Sequence, residues 1–94
     1  MRIVYAPKAR ADLQTCVEYI AEDNPLAAAR LADRVFALVD RLAEGSFDGP
    51  EHRLYNGQPV RSWPVPPLRV YYQRAIKELR VLRIYHHARR PIAR

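Results

Sequence analysis

Residues 8–44 read KARADLQTCVEYIAEDNPLAAARLADRVFALVDRLAE, and their periodicity decides the fold. In the first half, Leu13, Cys16, Val17 and Ile20 recur at i, i+3, i+4 and i+7, which draws one apolar stripe along a helix from Lys8 to Asp23. Asn24-Pro25 ends that helix and starts another. Asn accepts from the free amide groups of a first turn, and the fixed φ of proline suits the first helical position. The second helix gathers Ala28, Leu31, Ala32, Val35, Leu38, Val39 and Leu42 on one face, and Gly45 stands where a left-handed C-terminal residue is wanted. The spacing therefore predicts an antiparallel helical hairpin over residues 8–44.

Outward from the hairpin the period changes. Arg2-Ile3-Val4-Tyr5 is short, β-rich and closed by Pro7, which predicts a first strand. Beyond Gly49-Pro50, Glu51–Tyr55 and Pro59–Val65 read as two strands joined at a tight Asn56-Gly57 turn. Pro59 and Pro64 each delete a ladder donor, so the second of these is expected near an edge or interrupted. After Pro66-Pro67, Leu68–Tyr72 and Leu79–Tyr85 are rich in β-branched and aromatic residues, with a turn at Ile76-Lys77-Glu78. The fold class expected is α+β: one N-terminal strand, the hairpin, then a three- to four-stranded, mainly antiparallel sheet. Such a sheet buries one face against the helices and leaves the other open.

At 94 residues the chain is expected to form a single domain over 1–94. Its single cysteine, Cys16, cannot form an internal disulfide, which points to a reducing cytoplasm. The longest aliphatic or aromatic run is Val35-Phe36-Ala37-Leu38-Val39, far short of the ~20 residues that span a bilayer, so no membrane role is expected. Charge is unevenly placed. Residues 1–50 hold six Lys/Arg against eight Asp/Glu, net −2, and residues 51–94 hold ten against two, net +8. A half this basic attracts polyanions or an acidic protein partner.

Alternation along the strands predicts which side chains the open face displays. Leu82 and Ile84 are expected to meet the helices, leaving Arg83 and Tyr85 on the open face with Arg69 and Tyr71, and Arg61 and Trp63 share parity in the earlier strand. A basic sheet with interleaved aromatics suits phosphate contact and base stacking. Arginines lining a solvated sheet, with tyrosines packed on their stems, explain the pattern about as well. His86-His87-Ala88-Arg89-Arg90 is the densest cluster able to move a proton or hold an oxyanion. Adjacent strand histidines point apart and His52 completes no ligand set, so neither a metal nor a cofactor is expected. Cys16 reads as a small buried hydrophobe, Trp63 as a packing anchor, and Asp12, Glu18 and Glu22 as a solvated helix face. Neither Ser62 nor Ser46 has a nucleophile motif around it.

The run Ala9-Arg10-Ala11-Asp12-Leu13, then Tyr19 to Pro25 with Ala27-Ala28, resembles the first half of the RelE/ParE superfamily of type II toxin-antitoxin toxins, especially its ParE-like branch. Leu68-Arg69-Val70-Tyr71-Tyr72 and Val81 to Arg89 resemble that family's two terminal strands, in the same order. The resemblance implies a growth-arresting toxin bound by a cognate antitoxin in a hetero-oligomer. Two targets stay open: DNA gyrase for ParE-like members, or messenger RNA cut on the ribosome for RelE-like ones. For the nuclease, the resemblance offers Arg69, Arg89, His86 and Tyr85 as catalytic groups. For binding a target or nucleic acid, it and the charge pattern offer Arg61, Arg69, Arg83, His87, Arg89 and Arg90. RelE-type nucleases carry a lysine pair on the strand before Arg69, where this chain has Arg61, Ser62 and Trp63, so the gyrase reading is favoured.

Overall fold

The computed structural model describes residues 1–45, 47–53 and 57–86. Strand β1 (Arg2–Tyr5) leads into helix α1 (Pro7–Asp23) and helix α2 (Pro25–Glu44). Four strands follow: β2 (Glu51–Arg53), β3 (Pro59–Val65), β4 (Leu68–Arg74) and β5 (Glu78–His86). All five strands form one sheet in the order β1-β5-β4-β3-β2. The last four are antiparallel neighbours, while β1 joins parallel to β5. The sheet is thus larger by one strand than the sequence predicts, because the hairpin carries the chain across one face and leaves β1 alongside the final strand.

The signals at the hairpin's turn and end work as read. The Asn24 side chain accepts from the Ala27 amide at 3.0 Å, and Gly45 ends α2 with φ near +80°. On α2, Leu31, Val35, Leu38, Val39 and Leu42 are buried. On α1, Leu13 is buried, and Cys16, Val17 and Ile20 pack half-buried against the same core. From the sheet that core receives Val65, Leu68, Val70, Tyr72, Leu79, Val81 and Ile84. Each fully buried aliphatic side chain stabilises the fold by about 1.5–3 kcal/mol relative to its exposed state. Among the described residues no helix is long and apolar enough to cross a membrane.

β3 runs unbroken through both prolines. Pro59 is its first residue, and Pro64 lies past the reach of β2, which pairs only with residues 59–61. The Ser62 amide points to that same side, where it donates to the Pro50 carbonyl at 3.3 Å. Pro64 shares its parity and so lacks a donor where no strand waits for one.

Strand β5 departs from simple alternation. Tyr72 pairs with Val81 and Tyr71 with Arg83, so β5 advances two residues while β4 advances one. This bulge sets Leu82 and Arg83 together opposite Tyr71. Leu82, expected to meet the helices, therefore packs with Val60, Tyr71 and Tyr85 on the other side, and Val81, which simple alternation would set on the open face with Arg83 and Tyr85, faces the helices. Ile84 inside and Tyr85 outside agree with the expectation, because the extra residue restores the phase.

Candidate functional site

The sheet face away from the helices carries Val60 and Ser62 from β3, Arg69 and Tyr71 from β4, and Leu82 and Tyr85 from β5, with His52 of β2 beside them. Arg69 sits directly across from Tyr85 in the ladder. Its Nε donates to Ser62 Oγ at 2.9 Å, and the same oxygen lies 2.8 Å from His52 Nε2. Ser62 is fully buried. Its hydroxyl is therefore an internal post that accepts from Arg69 and shares a proton with His52, rather than a nucleophile open to a substrate.

Aromatic rings close the face. His52 and Tyr71 are 6.1 Å apart, Tyr71 and Tyr85 meet edge-on at 5.8 Å, and the Arg83 guanidinium lies 4.6 Å from the Tyr85 centroid. Burial raises the Tyr71 hydroxyl pKa above its ordinary value; Arg69 opposes the rise and Tyr85 adds to it. With Tyr71 only 4% exposed, its ring is not presented for stacking by a ligand.

The other arginines singled out by sequence diverge from Arg69. Arg61 pairs with Tyr72 and so lies on the opposite face, where its Nη1 donates to the Gly49 carbonyl at 2.8 Å and its Nη2 lies 3.6 Å from Glu51. Arg83 turns over the edge of β5 to Asp12 on α1, donating through Nε at 2.8 Å and Nη2 at 3.1 Å. Its pKa is raised above the ordinary value chiefly by those bonds. The Ile84 amide donates to the same Asp12 carboxylate at 3.0 Å. β1 pairs with β5 only as far as Val81, and Asp12 takes over the edge that β1 leaves bare. Asp12 is therefore a structural clamp rather than part of a solvated face.

His86 closes β5 on the helix side, in an apolar groove of about 420 Å³ with Cys16, Tyr19, Ile20 and Leu68. His87, Arg89 and Arg90 lie outside the described residues. The face thus unites Arg69 and Tyr85 with His52, Ser62 and Tyr71, and leaves Arg61 and His86 behind it.

His52 escaped the sequence reading through register. A two-residue turn at positions 56–57 would pair position 52 with position 61, but the observed register pairs His52 with Val60. One residue of shift exchanges the faces of a whole strand. A second network fixes this end of the sheet. Tyr72 Oη donates to Asp48 at 3.0 Å and accepts from the Gly49 amide at 2.8 Å, while Arg74 Nε donates to Asp48 at 2.7 Å.

This architecture is shared with a known toxin system. A solved structure described as the chromosomal ParDE TA system from P. aeruginosa superposes with a TM-score of 0.72 over 92% of this chain and 95% of that one, at 22% identity. In sequence, residues 3–91 match the family described as the ParE toxin of the type II toxin-antitoxin system parDE. The chain is also 35% identical over 88 residues to Toxin RelE2 of Caulobacter vibrioides, covering 94% of this chain and 97% of that protein. The chain belongs to the ParE toxin family of type II toxin-antitoxin systems, within the RelE/ParE superfamily.

Proposed function

We propose that the chain arrests bacterial growth in the cytoplasm by binding and poisoning DNA gyrase, and that a cognate antitoxin encoded alongside it holds it inactive in a hetero-oligomer. The observation that carries this reading is the divergence of the described arginines. Cleaving RNA needs a proton-transfer group and preorganised cations converging on one phosphate. Here Arg83 is turned onto Asp12 and Arg61 lies on the opposite face, so among the described residues no second arginine converges with Arg69 on one phosphate. The tyrosines beside Arg69 pack edge-on against each other rather than standing free for bases. An arginine among tyrosines and aliphatic side chains is the composition of a protein-binding hot spot.

The test is controlled induction in a bacterium with separate labelling of DNA and protein synthesis. Early loss of DNA synthesis with filamentous cells is expected, and Arg69→Ala is expected to abolish it while the protein stays folded. Early loss of translation with cleaved messages would overturn the gyrase reading in favour of an mRNA endonuclease.

A further inference from the structure

We propose that the open sheet face carries a receptor for a single carboxylate of a protein partner, with the terminal nitrogens of Arg69 as its fork and Ser62 and His52 as the groups that aim it. This deepens, and rests on, the reading of the chain as a protein-binding poison.

The geometry begins at the buried hydroxyl. Ser62 Oγ holds Arg69 Nε at 2.9 Å and His52 Nε2 at 2.8 Å. A guanidinium offers two bidentate edges, one through Nε and one formed by the two terminal nitrogens. With Nε committed to Ser62, the end-on edge is left for a ligand. No described residue bonds those terminal nitrogens, and among the described residues no buried side-chain nitrogen or oxygen lacks a partner, so they reach solvent. Two parallel N–H donors match the two oxygens of a carboxylate.

Charge favours a carboxylate side chain over a nucleic-acid backbone. Polynucleotide affinity is a sum over several neutralised phosphates. Elsewhere in this basic half, Arg83 is paired with Asp12, Arg74 with Asp48, Arg80 with Glu78, and Arg61 lies behind the face near Glu51. Among the described residues one open fork remains on this face, beside Tyr71, Tyr85, Leu82 and Val60, which exclude water from a contact at its edge. A half-buried, charge-assisted pair in such surroundings discriminates far better than an exposed one.

The experiment uses the purified full chain, with Arg69 Nε–Hε followed by NMR during titration with a hexaglutamate peptide, its hexaglutamine counterpart and a ten-nucleotide oligothymidylate. Hexaglutamate is expected to shift the Arg69 signal and to bind about 10- to 100-fold more tightly than hexaglutamine, the range of a charge-assisted bond. Arg69→Ala removes that preference. Ser62→Ala, and His52→Phe as a variant that keeps a ring against Tyr71, each lower it about tenfold while a thermal melt reports a folded chain. Oligothymidylate binding more tightly than hexaglutamate through Arg69 would overturn the proposal, as would an unchanged preference in both positioning variants. Neither gyrase nor cells enter this titration. A retained hexaglutamate preference beside translational arrest would overturn the gyrase reading alone, and a lost preference beside arrested DNA synthesis would overturn the receptor alone.

Discussion

Replacing Asp12 by alanine removes three bonds where α1 holds the bare edge of β5. Asp12 Oδ2 accepts from Arg83 Nε at 2.8 Å and from the Ile84 amide at 3.0 Å, and Oδ1 accepts from Arg83 Nη2 at 3.1 Å. Hydrogen bonds to a charged group contribute ~1.5–3 kcal/mol net. The Arg83 side chain is 26% exposed and that of Asp12 12%, so a released guanidinium regains water and the pair falls at the low end, about 1–1.5 kcal/mol. An orphaned backbone amide at Ile84 adds about 1–3 kcal/mol. The total is about 2–4.5 kcal/mol, which in a domain of this size lowers the melting midpoint by roughly 10–25 °C. Asp12→Asn keeps an acceptor for Ile84 and loses the charge, so it is expected to cost about 1 kcal/mol. Circular-dichroism melts at neutral pH of the parent and both variants measure this. A midpoint for Asp12→Ala within about 2 °C of the parent, equivalent to under ~0.5 kcal/mol, would refute the clamp.

Two further predictions concern the network at the other end of the sheet. A Cβ at Gly49 would lie 1.8 Å from the Ser62 carbonyl oxygen, so Gly49→Ala must displace backbone and disturb the amide's bond to Tyr72. It is expected to lose more than about 3 kcal/mol in urea unfolding, and a parental midpoint would contradict the close approach. The Asp48 carboxyl is pushed up by burial, but hydrogen bonds from Arg74 and Tyr72 outweigh this and hold it below its ordinary value of 3.8. A depressed acid stabilises the fold above its unfolded-state pKa, and that stability is lost as pH falls through the lower folded value. Stability should therefore drop as the pH falls below about 4, with a shallower slope in Asp48→Asn; equal slopes in the two proteins would exclude Asp48 as a source of the acid sensitivity.

The sequence by itself determined the hairpin and the order of the strands. Leu13, Cys16, Val17 and Ile20 recur with a period that only a helix satisfies, and Asn24, Pro25 and Gly45 mark its turn and end by local chemistry. Such signals act within a few residues and are legible wherever they occur. Arg69 and Tyr85 were likewise legible on one face, since Arg69 alternates with Leu68 and Val70 and Tyr85 follows Ile84, which the bulge leaves in phase. Tertiary structure alone decided the rest. The bulge at Leu82-Arg83 reversed the faces of Val81 and Leu82, a one-residue register choice brought His52 to Ser62, and the early end of β1 turned Asp12 from a solvated carboxylate into a clamp. Each of these depends on where a strand distant in sequence begins, stops or slips by one residue. Periodicity within a segment carries no record of that, because the free energy that sets register resides in contacts between segments rather than within them.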